Sequence, residues 1–365
     1  MEKIDVLHIY HGTGGSNGLY LDEIYNSLKF NSVRQDVIAN YYYPFSYAHR
    51  VFFKYTDLQS GMKKSFFRLF LRGVELTVGL IYSLFFILKT RPKVVNYSII
   101  STYLVEVWFL KLVVKLFKVK LVLTLHDVVP FDCYRTSIAY NMEQRFKLFN
   151  SADVLLVHTE NSCEELKKYF NVDSSKILLH PFPIMDLNKL SLKPYPIANS
   201  YDFVFLGHLR KEKGVELLLE AWKIFSARFP KATLLIAGNK PHNVMIQTDN
   251  CENITFRLEF LSDREYLTYL SCSKYLILPY TMGTNSGVVF TAFSQNISII
   301  TSSIPMFSEN PLVNKELIFE AGSVQSLVAI MTKAYLEKIP NNYTIEQYRA
   351  FFDNEVYNTY KHILA

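Results

Sequence analysis

Short apolar runs alternate with longer amphipathic segments along almost the whole chain, and this alternation restricts the fold more than any other feature. Successive strands that are separated by helices run parallel, because each helix returns the chain to the edge where the previous strand began. The pattern therefore predicts an α/β protein with parallel sheets. Strands are predicted at 5–10, 36–40, 94–99, 120–125, 153–158, 203–206, 233–237, 253–256, 275–278 and 298–301. Helices are predicted at 19–30, 214–228, 263–272, 287–295, 323–338 and 345–364.

Length and composition indicate two globular domains. The chain has 365 residues, more than the roughly 250–300 at which a single hydrophobic core usually splits. Hydrophobic residues make up 50% and charged residues 20%, which excludes a disordered chain. The stretch 186–200 contains Pro194 and Pro196 and has no hydrophobic period, as is typical of a linker. We expect one domain over 1–185, the linker over 186–200, a second domain over 201–342, and a terminal amphipathic helix within 343–365.

Charge and cysteine content exclude several classes of function. The net charge of +6 suits a phosphate-bearing ligand or an anionic membrane surface, but no basic run is long enough to indicate nucleic-acid binding. The cysteines are scattered and lack metal-ligand spacing, so they indicate reduced thiols and neither a disulfide framework nor a zinc site. They are Cys133, Cys163, Cys251 and Cys272. No secretion signal is visible, because the first apolar stretch ends at His11.

The most apolar segment of the chain is 66–88. Its uncharged part, 76–88, is shorter than the roughly 20 residues that span a bilayer, so we expect a buried helix. Cations interleave with aromatic residues at its start, a mixture that sits well on anionic lipid. We therefore also expect a peripheral membrane contact through 61–72, with a helix packed on its own domain as the alternative.

The segment 203–221 carries the strongest functional signal. An apolar strand breaks at Gly207 into a short turn that holds Arg210, Lys211 and Lys213, and an amphipathic helix follows. Cations at the exit of a strand, beside the positive end of a helix, favour a phosphorylated ligand. The alternative is a solvated loop that is basic without a ligand.

This segment resembles the donor-binding signature of retaining GT-B glycosyltransferases, the glycosyltransferase family 4-like enzymes also called glycosyl transferases group 1. That family includes many bacterial surface-polysaccharide mannosyl-, glucosyl- and galactosyltransferases. Lys213 and Gly214 match the Lys-Gly of the family pattern, whereas His208 stands where the family usually has arginine. The resemblance leaves open whether Arg210 or Lys211 joins Lys213 on the donor diphosphate.

A glycine-rich turn, 11–18, follows the first predicted strand. Such a turn exposes backbone amides to a phosphate or a sugar, although a flexible turn without a ligand is the alternative. The third glycine of a dinucleotide fingerprint is replaced by Asn17, which argues against a dehydrogenase. Gly14 and Gly15 resemble the paired glycines of the family at the mouth of the cleft between its domains.

Another predicted strand ends in the segment 123–130, which contains the sequence Thr-Leu-His-Asp at its centre. Ligands of open α/β sheets bind at the carboxyl ends of strands, which places His126 and Asp127 where a site is expected. A single histidine there is more often structural. The segment resembles the family segment whose histidine contacts the transferred sugar, which favours His126, while Asp127 is the weaker candidate as a helix cap.

The segment 278–292 predicts the start of a helix after a strand and a loop. Free amides at such a start, together with a serine hydroxyl, would bind a diphosphate. The resemblance assigns donor contacts here to Asn285, Ser286, Gly287, Val288 and Val289. The Glu-x7-Glu pair of the family is missing, because Gly283 and Thr291 stand in the two glutamate positions.

The resemblance extends over nearly the whole chain and implies a specific architecture and activity. It implies the GT-B fold, an α/β architecture of two Rossmann-like domains with parallel sheets facing a cleft, and a terminal helix that crosses back to the first domain. It implies transfer of a sugar from a nucleotide-diphospho-sugar to a glycan or lipid-linked acceptor, with neither metal nor cofactor. Catalytic roles would go to His126, Arg210 and Lys213, and donor contacts would also include Gly207.

Two other activities fit the same pattern. A sugar-nucleotide epimerase would need acidic residues for proton transfer, and none stands out among the motif positions. A non-catalytic sugar-nucleotide-binding subunit is favoured by the missing glutamates and disfavoured by the retained cations. We expect a cytoplasmic enzyme at the inner face of the membrane, in polysaccharide biosynthesis. The aromatic stretch 41–47 is a further candidate, either as an acceptor platform or as a packed loop.

Overall fold

The computed structural model describes residues 3–12, 18–63, 65–98, 104–129, 138–196, 200–240, 253–283 and 286–365. They form two compact units, each built around its own parallel sheet. Unit 1 comprises Met1–Pro183 together with Ala350–Ala365, and unit 2 comprises Ile184–Arg349. The α/β class predicted from the alternation of strands and helices is confirmed.

Unit 1 contains a seven-stranded sheet in which every pairing is parallel. Its strands are β1 (Val6–Tyr10), β2 (Gln35–Asn40), β3 (His49–Phe52), β4 (Val94–Ser98), β5 (Lys120–Thr124), β6 (Val154–Val157) and β7 (Ile177–Leu179). The spatial order is β3-β2-β1-β4-β5-β6-β7, so the order reverses between β1 and β4. The central strands β1 and β4 are buried throughout, as expected for parallel strands covered on both faces.

Helices connect the strands of unit 1. They are α1 (Leu19–Phe30), α2 (Phe66–Thr90), α3 (Leu104–Phe117), α4 (Ile138–Ser151) and α5 (Glu160–Phe170). Apolar side chains of the sheet and of α2 to α5 form one large core cluster. Leu21 of α1 packs in a second, smaller cluster with Tyr10, Val37, Ala39 and Tyr43.

Unit 2 contains a six-stranded sheet, also parallel in every pairing. Its strands are β8 (Tyr201–Leu206), β9 (Leu234–Ala237), β10 (Ile254–Arg257), β11 (Ser273–Leu278), β12 (Ser298–Ser302) and β13 (Ile318–Phe319). Its helices are α6 (Val215–Arg228), α7 (Asp263–Ser271), α8 (Gly287–Ser294), α9 (Pro305–Ser308) and α10 (Val324–Glu337). The order β10-β9-β8-β11-β12-β13 reverses between β8 and β11. Open α/β sheets bind ligands beyond the carboxyl ends of the strands at such a reversal.

The last helix, α11 (Ile345–Leu364), contributes to both units. Within unit 2, the ring of Tyr348 contacts Phe290 and Phe293. Within unit 1, the hydroxyl of Tyr360 accepts a hydrogen bond of 2.8 Å from the buried amide of Asn96. The helix therefore completes the packing of two separate cores.

The predicted strands and helices all occur, most of them within one or two residues of the predicted ends. The sequence analysis missed β3, β7 and β13. These strands have two to four residues and lie at the edges of their sheets, where one side of the strand is unpaired. Short edge strands carry too few alternating residues to be separated from loop by pattern alone.

The prediction that the apolar segment 66–88 forms a buried helix is wrong about burial, because helix α2 is only partly buried. It is the one helix of the described residues that is long and apolar enough to cross a membrane, and only 33% of its most apolar window is buried. One face packs on unit 1 through residues such as Leu76, Leu80 and Ile87. The opposite face is exposed, with Phe70 65% and Phe85 67% accessible. The helix was predicted correctly in type but not in burial.

Candidate active site

The turn that follows β8 brings the predicted cations to the carboxyl edge of the unit 2 sheet. Gly207 ends the strand, and its N–H donates to the carbonyl of Ala237 at the end of β9. The turn continues into a single 3-10 turn, Lys211–Lys213, and α6 follows directly. The backbone N–H of Thr281 donates to the carbonyl of Glu212 at 2.9 Å, which fixes the turn against the segment after β11.

Gly214 makes this close approach feasible. Its φ is +68°, and a Cβ atom at this position would lie 1.8 Å from the carbonyl oxygen of Pro279. A side chain would therefore meet both backbone strain and a backbone collision. Glycine at this position lets the turn after β8 pack directly on the end of β11.

Lys213 lies over the ring of Tyr280, with Nζ 3.7 Å from the ring centroid. Tyr280 is buried, and its hydroxyl is hydrogen-bonded to the side chain of Ser286. Burial raises the pKa of Tyr280 to about 12, against the opposing effect of the Ser286 bond, so the phenol is neutral at pH 7. Tyr280 thus links a predicted cation to a predicted donor-binding serine.

Sequence reasoning did not single out Tyr280. Its position was the available signal, because it follows β11 at the carboxyl edge where the strand order reverses.

The other two cations of the turn lie in different surroundings. Arg210 is half-buried, and its Nη1 atom lies 3.7 Å from a carboxylate oxygen of Glu212. Lys211 is exposed. Burial and the charges of Arg210 and Lys213 lower the pKa of His208, which keeps this imidazole neutral at pH 7. Positive charge in the turn is therefore carried by the arginine and the lysines.

Helix α8 begins beside Tyr280. Ser286 is its N-cap residue, but the side chain does not cap the helix. The N–H groups of Gly287 and Val288 belong to the first turn, where no carbonyl of the same helix can accept them. A Cβ atom at Gly207 or Gly287 would meet no atom of the described residues within 4 Å. Gly207 and Gly287 therefore border space that no described atom fills. Val289, another predicted donor contact, is buried, and Asn285 lies outside the described residues.

The positions of the missing glutamates are occupied by structural contacts. A Cβ atom at Gly283 would lie 2.6 Å from the sulfur of Met306. Thr291 is buried and donates its hydroxyl to the carbonyl of Gly287 at 3.0 Å. Neither position supplies a carboxylate or a side-chain group that is free to bind a sugar hydroxyl.

In unit 1, His126 follows β5 at the carboxyl edge of the sheet. Its ring stacks on His158, with centroids 5.3 Å apart, and meets the ring of Tyr20 edge-on at 4.6 Å. Burial lowers the pKa of His126 to about 4, so the imidazole is neutral at pH 7. It can donate or accept a hydrogen bond there without carrying charge. Asp127 is exposed, and its carbonyl accepts from Arg145.

Two further histidines, which sequence reasoning missed, extend this group. His158 follows β6 and His180 follows β7, so both repeat the position of His126 on the neighbouring strands. Nδ1 of His158 lies 2.9 Å from the carbonyl oxygen of His180. Because a carbonyl only accepts, Nδ1 carries the proton and the buried Nε2 is an acceptor. That Nε2 and both ring nitrogens of His180 have no partner among the described residues.

Burial sets the protonation state of these histidines. It lowers the pKa of His158 to about 3, with a further contribution from His126. It also lowers the pKa of His180 to about 3. Both rings are therefore neutral at pH 7. His158 stacks on His126, and His180 meets His158 edge-on with centroids 6.0 Å apart.

The glycine-rich turn begins at a buried polar group. Nε2 of His11 lies 2.8 Å from a carboxylate oxygen of Glu106, which also accepts from the hydroxyl of Tyr97 at 2.8 Å. The predicted donor contacts Gly14 and Gly15 lie outside the described residues.

The aromatic stretch 41–47 is mainly packed. Tyr47 stacks on Tyr25 with centroids 4.0 Å apart and donates its hydroxyl to Asp22 at 2.9 Å. Tyr43 is buried. These contacts favour the packed-loop interpretation over an acceptor platform. Within the described ranges, no group of three or more histidine, cysteine, aspartate and glutamate side chains is arranged to hold a metal ion.

Comparisons with known proteins follow the same division of the chain. Residues 200–336 match the family model described as glycosyl transferases group 1, and residues 98–181 match the model of a glucosyltransferase 3-like N-terminal domain. No curated protein sequence matches the chain.

Solved structures resemble the chain over nearly its full length. Sucrose-phosphate synthase from Thermosynechococcus elongatus has a TM-score of 0.66 at 14% identity, covering 98% of this chain and 99% of that protein. The catalytic domain of starch synthase IV from Arabidopsis thaliana, bound to ADP and acarbose, has a TM-score of 0.61 at 10% identity, covering 99% of both.

A candidate UDP-N-acetylglucosamine 2-epimerase from Listeria monocytogenes also has this architecture. Its TM-score is 0.59 at 13% identity, covering 98% of this chain and 94% of that protein. The two parallel sheets, the basic turn at the carboxyl edge of the unit 2 sheet and these matches all indicate the same fold. The chain has the GT-B fold of glycosyltransferases, and its residues 200–336 match the family model of glycosyl transferases group 1.

Proposed function

We propose that the chain is a retaining glycosyltransferase that moves a hexose from a nucleotide-diphospho-sugar to a glycan or lipid-linked saccharide. The observation that carries the proposal is the arrangement of Lys213, Tyr280 and Ser286 beside the first amides of α8. An ammonium group held over a buried ring, next to free backbone N–H groups at the reversal of strand order, suits a diphosphate.

In the proposed reaction the diphosphate is the leaving group. Negative charge builds on its oxygens as the bond to the anomeric carbon breaks, and Arg210 and Lys213 stabilise that charge. The N–H groups of Gly287 and Val288 add fixed dipoles. Because these groups are positioned before the reaction begins, they lower the barrier without reorganisation.

Retention requires the acceptor hydroxyl to attack from the face that the diphosphate leaves. The new bond from the anomeric carbon to the acceptor oxygen forms as the bond to the phosphate oxygen breaks. The hydroxyl proton then passes to the departing phosphate. His126, neutral at pH 7, would hydrogen-bond a sugar hydroxyl and orient the ring.

The remaining parts of the proposal concern biological context. We expect no metal and no cofactor, because the sequence lacks an Asp-x-Asp pair and the cations of the turn supply the charge that a metal would otherwise provide. We place the enzyme in the cytoplasm at the inner face of a membrane, in polysaccharide biosynthesis, with a membrane contact near 61–72. Lipid-linked acceptors would account for that location.

A thermal-shift panel with UDP, GDP, ADP, TDP and NAD tests donor binding. A nucleotide at about 100 times its Kd stabilises the native state by about 2.7 kcal/mol. For a unit of this size that corresponds to a rise in Tm of about 5–10 °C. We expect one nucleoside diphosphate to stabilise the wild type and to have little effect on the double variant Arg210→Ala, Lys213→Ala.

The matched control is Lys211→Ala, which removes an exposed cation from the same turn. We expect it to retain most of the nucleotide response. Equal loss in the control and in the double variant would show that net charge, and not the proposed site, controls binding.

The fold likeness to a candidate epimerase supports one second function. An epimerase would interconvert two sugar nucleotides without an acceptor, whereas a transferase releases nucleoside diphosphate in step with acceptor glycosylation or slow hydrolysis. Chromatography of the nucleotide products separates the two activities. A chain that binds a nucleotide and converts nothing would instead be a non-catalytic subunit.

A further inference from the structure

Helix α2 has two apolar faces, and only one of them packs on unit 1. The packed face is held tightly: a Cβ atom at Gly79 would lie 2.2 Å from the ring of Phe52. The opposite face presents apolar side chains at spacings of three or four residues along the whole helix. They are Phe67, Phe70, Val74, Val78, Ile81, Phe85 and Leu88, with accessible fractions between 42% and 67%.

The neighbouring helix α3 extends this surface. The two helices pack side by side. Trp108, Leu112 and Leu116 follow one another at intervals of four residues and are 74%, 38% and 59% exposed. A tryptophan with most of its surface in contact with water is unusual in a folded protein, and it is a common anchor at membrane interfaces. We refer to these residues of α2 and α3 together as the apolar face.

The acidic residues of both helices are turned inward. The carboxylate of Glu75 accepts hydrogen bonds from the backbone N–H of Tyr55 at 2.8 Å and from the hydroxyl of Thr56 at 2.6 Å. Glu106 is fully buried against His11. Since α2 and α3 carry no other acidic residue, neither helix presents negative charge around the apolar face.

The exposed charges that border the apolar face are positive. Lys63, Lys89, Arg91, Lys111 and Lys118 are exposed at the ends and flanks of the two helices. Arg68 and Arg72 belong to the segment 61–72, which was expected to contact lipid, but both donate to the backbone carbonyl of Thr56. Lys63 therefore borders the apolar face before the start of α2, and the other four exposed cations lie at the far end of α2 and on or after α3.

A basic cavity continues the apolar face at the ends of the helices. Its volume is about 670 Å³. Leu88 and Leu116 line it and also belong to the apolar face. Its lining includes Lys3, Arg91 and Lys118, which makes it suitable for an anionic group adjoining an apolar phase.

We propose that the apolar face binds the surface of an anionic phospholipid bilayer, with α2 lying parallel to the membrane plane. Its 25 residues would extend about 37 Å along the interface. Apolar side chains would enter the acyl region, and the bordering cations would meet lipid phosphates. This inference rests on the membrane location given in the proposed function and deepens it, because it assigns the contact to the exposed faces of α2 and α3. The residues concerned take no part in donor binding, so the vesicle and nucleotide experiments can fail independently.

Charge argues against a second copy of the chain as the occupant. A symmetric dimer through this face would place the cations of one copy against those of the other, with no acidic residue of α2 or α3 to pair with them. Packing argues against a membrane-spanning α2, because its other face belongs to the core of unit 1. A lipid surface satisfies both constraints.

Cosedimentation of the full chain with vesicles tests the proposal. We compare vesicles of pure phosphatidylcholine with vesicles in which one-third of the lipid is phosphatidylglycerol. We expect binding to the anionic vesicles and at least about tenfold weaker binding by the double variant Ile81→Glu, Phe85→Glu. Both positions are exposed, 50% and 67%, so the substitutions should leave folding intact.

Two further variants separate the contributions. Removing two border cations with Lys89→Gln and Lys111→Gln should weaken anionic binding by about fivefold each. The matched control is Phe260→Glu in unit 2, where an aromatic side chain that is 75% exposed lies outside the apolar face. We expect this control to bind vesicles as the wild type does.

Four results would overturn the proposal. The first is equal binding of the wild type and the Ile81→Glu, Phe85→Glu variant, and the second is no preference for anionic lipid. The third is a concentration-dependent dimer that the same variant abolishes, without vesicle binding by the wild type. The fourth is resistance of vesicle-bound protein to alkaline extraction, which indicates a spanning helix.

Discussion

The substitution Gly214→Ala tests whether the close packing of two backbone segments builds the donor site. The added Cβ atom would lie 1.8 Å from the carbonyl oxygen of Pro279, at a φ of +68°. The left-handed conformation costs alanine about 1–2 kcal/mol, and forced separation of a packed contact adds about 1–3 kcal/mol. For a unit of this size we expect the Tm to fall by roughly 4–20 °C.

The same substitution should weaken nucleotide binding. Pro279 can make room only by moving away from the turn, and Tyr280 follows it directly in the chain. The ring under Lys213 would therefore shift, and with it the ammonium group proposed to meet the diphosphate. Urea unfolding gives the change in free energy, and calorimetric titration with the stabilising nucleoside diphosphate gives the change in Kd.

Gly322→Ala is the matched control. Gly322 lies in the same unit at a φ of +81°, but a Cβ atom there would have no described atom within 4 Å. It should therefore lose only the conformational part, about 1–2 kcal/mol, and should bind nucleotide normally. Equal destabilisation by the two substitutions would refute the argument from the Pro279 contact.

Three other measurements test particular contacts. Tyr280→Leu should weaken nucleoside diphosphate binding by about 3- to 30-fold in calorimetry, because Lys213 loses the ring that orients it, whereas Tyr280→Phe should retain most of the affinity. Glu106→Leu should lower the free energy of unfolding in urea by about 1–3 kcal/mol, because it removes the hydrogen-bond partner of the buried His11 and Tyr97 side chains. Burial lowers the pKa of His8 and His126 to about 4 and that of His158 and His180 to about 3, so the unfolded chain takes up protons near pH 6.5 while the folded chain does not. Above pH 6.5 the free energy of unfolding should therefore be independent of these histidines, and it should fall by about 1.4 kcal/mol per pH unit for each of them as the pH drops toward 4. His180→Asn should reduce that slope, as measured by urea unfolding at several pH values.

The fold could be predicted from the sequence because each strand and helix is specified by the pattern of apolar residues within its own short segment. Buried parallel strands are continuous apolar runs, and the helices between them show a clear period, as for α1 and α11, whose predicted bounds match the structure. The short edge strand β3 was missed, because His49 and Arg50 interrupt its apolar pattern.

The candidate site could be predicted only in part. The cations of the turn and the serine before α8 were identified from short motifs. Tyr280 was missed because its role depends on Lys213, which is distant in the chain and contacts it only after both strands join one sheet. The burial of α2 was mispredicted for a related reason: periodicity shows that a helix is apolar, but not which of its faces meets a neighbour.

The terminal helix has a consequence for biosynthesis. Unit 1 lacks part of its core until Ala350–Ala365 has been made, although the rest of that unit ends at Pro183. Ribosomes add about 5–20 residues per second, so roughly 10–35 seconds separate the synthesis of Pro183 from that of Tyr360. Until then the amide of Asn96 lacks its hydrogen-bond acceptor, the Tyr360 hydroxyl. During that interval a nascent unit 1 exposes apolar surface of the kind that chaperones bind. Unit 1 can complete its core only after the ribosome has synthesised unit 2.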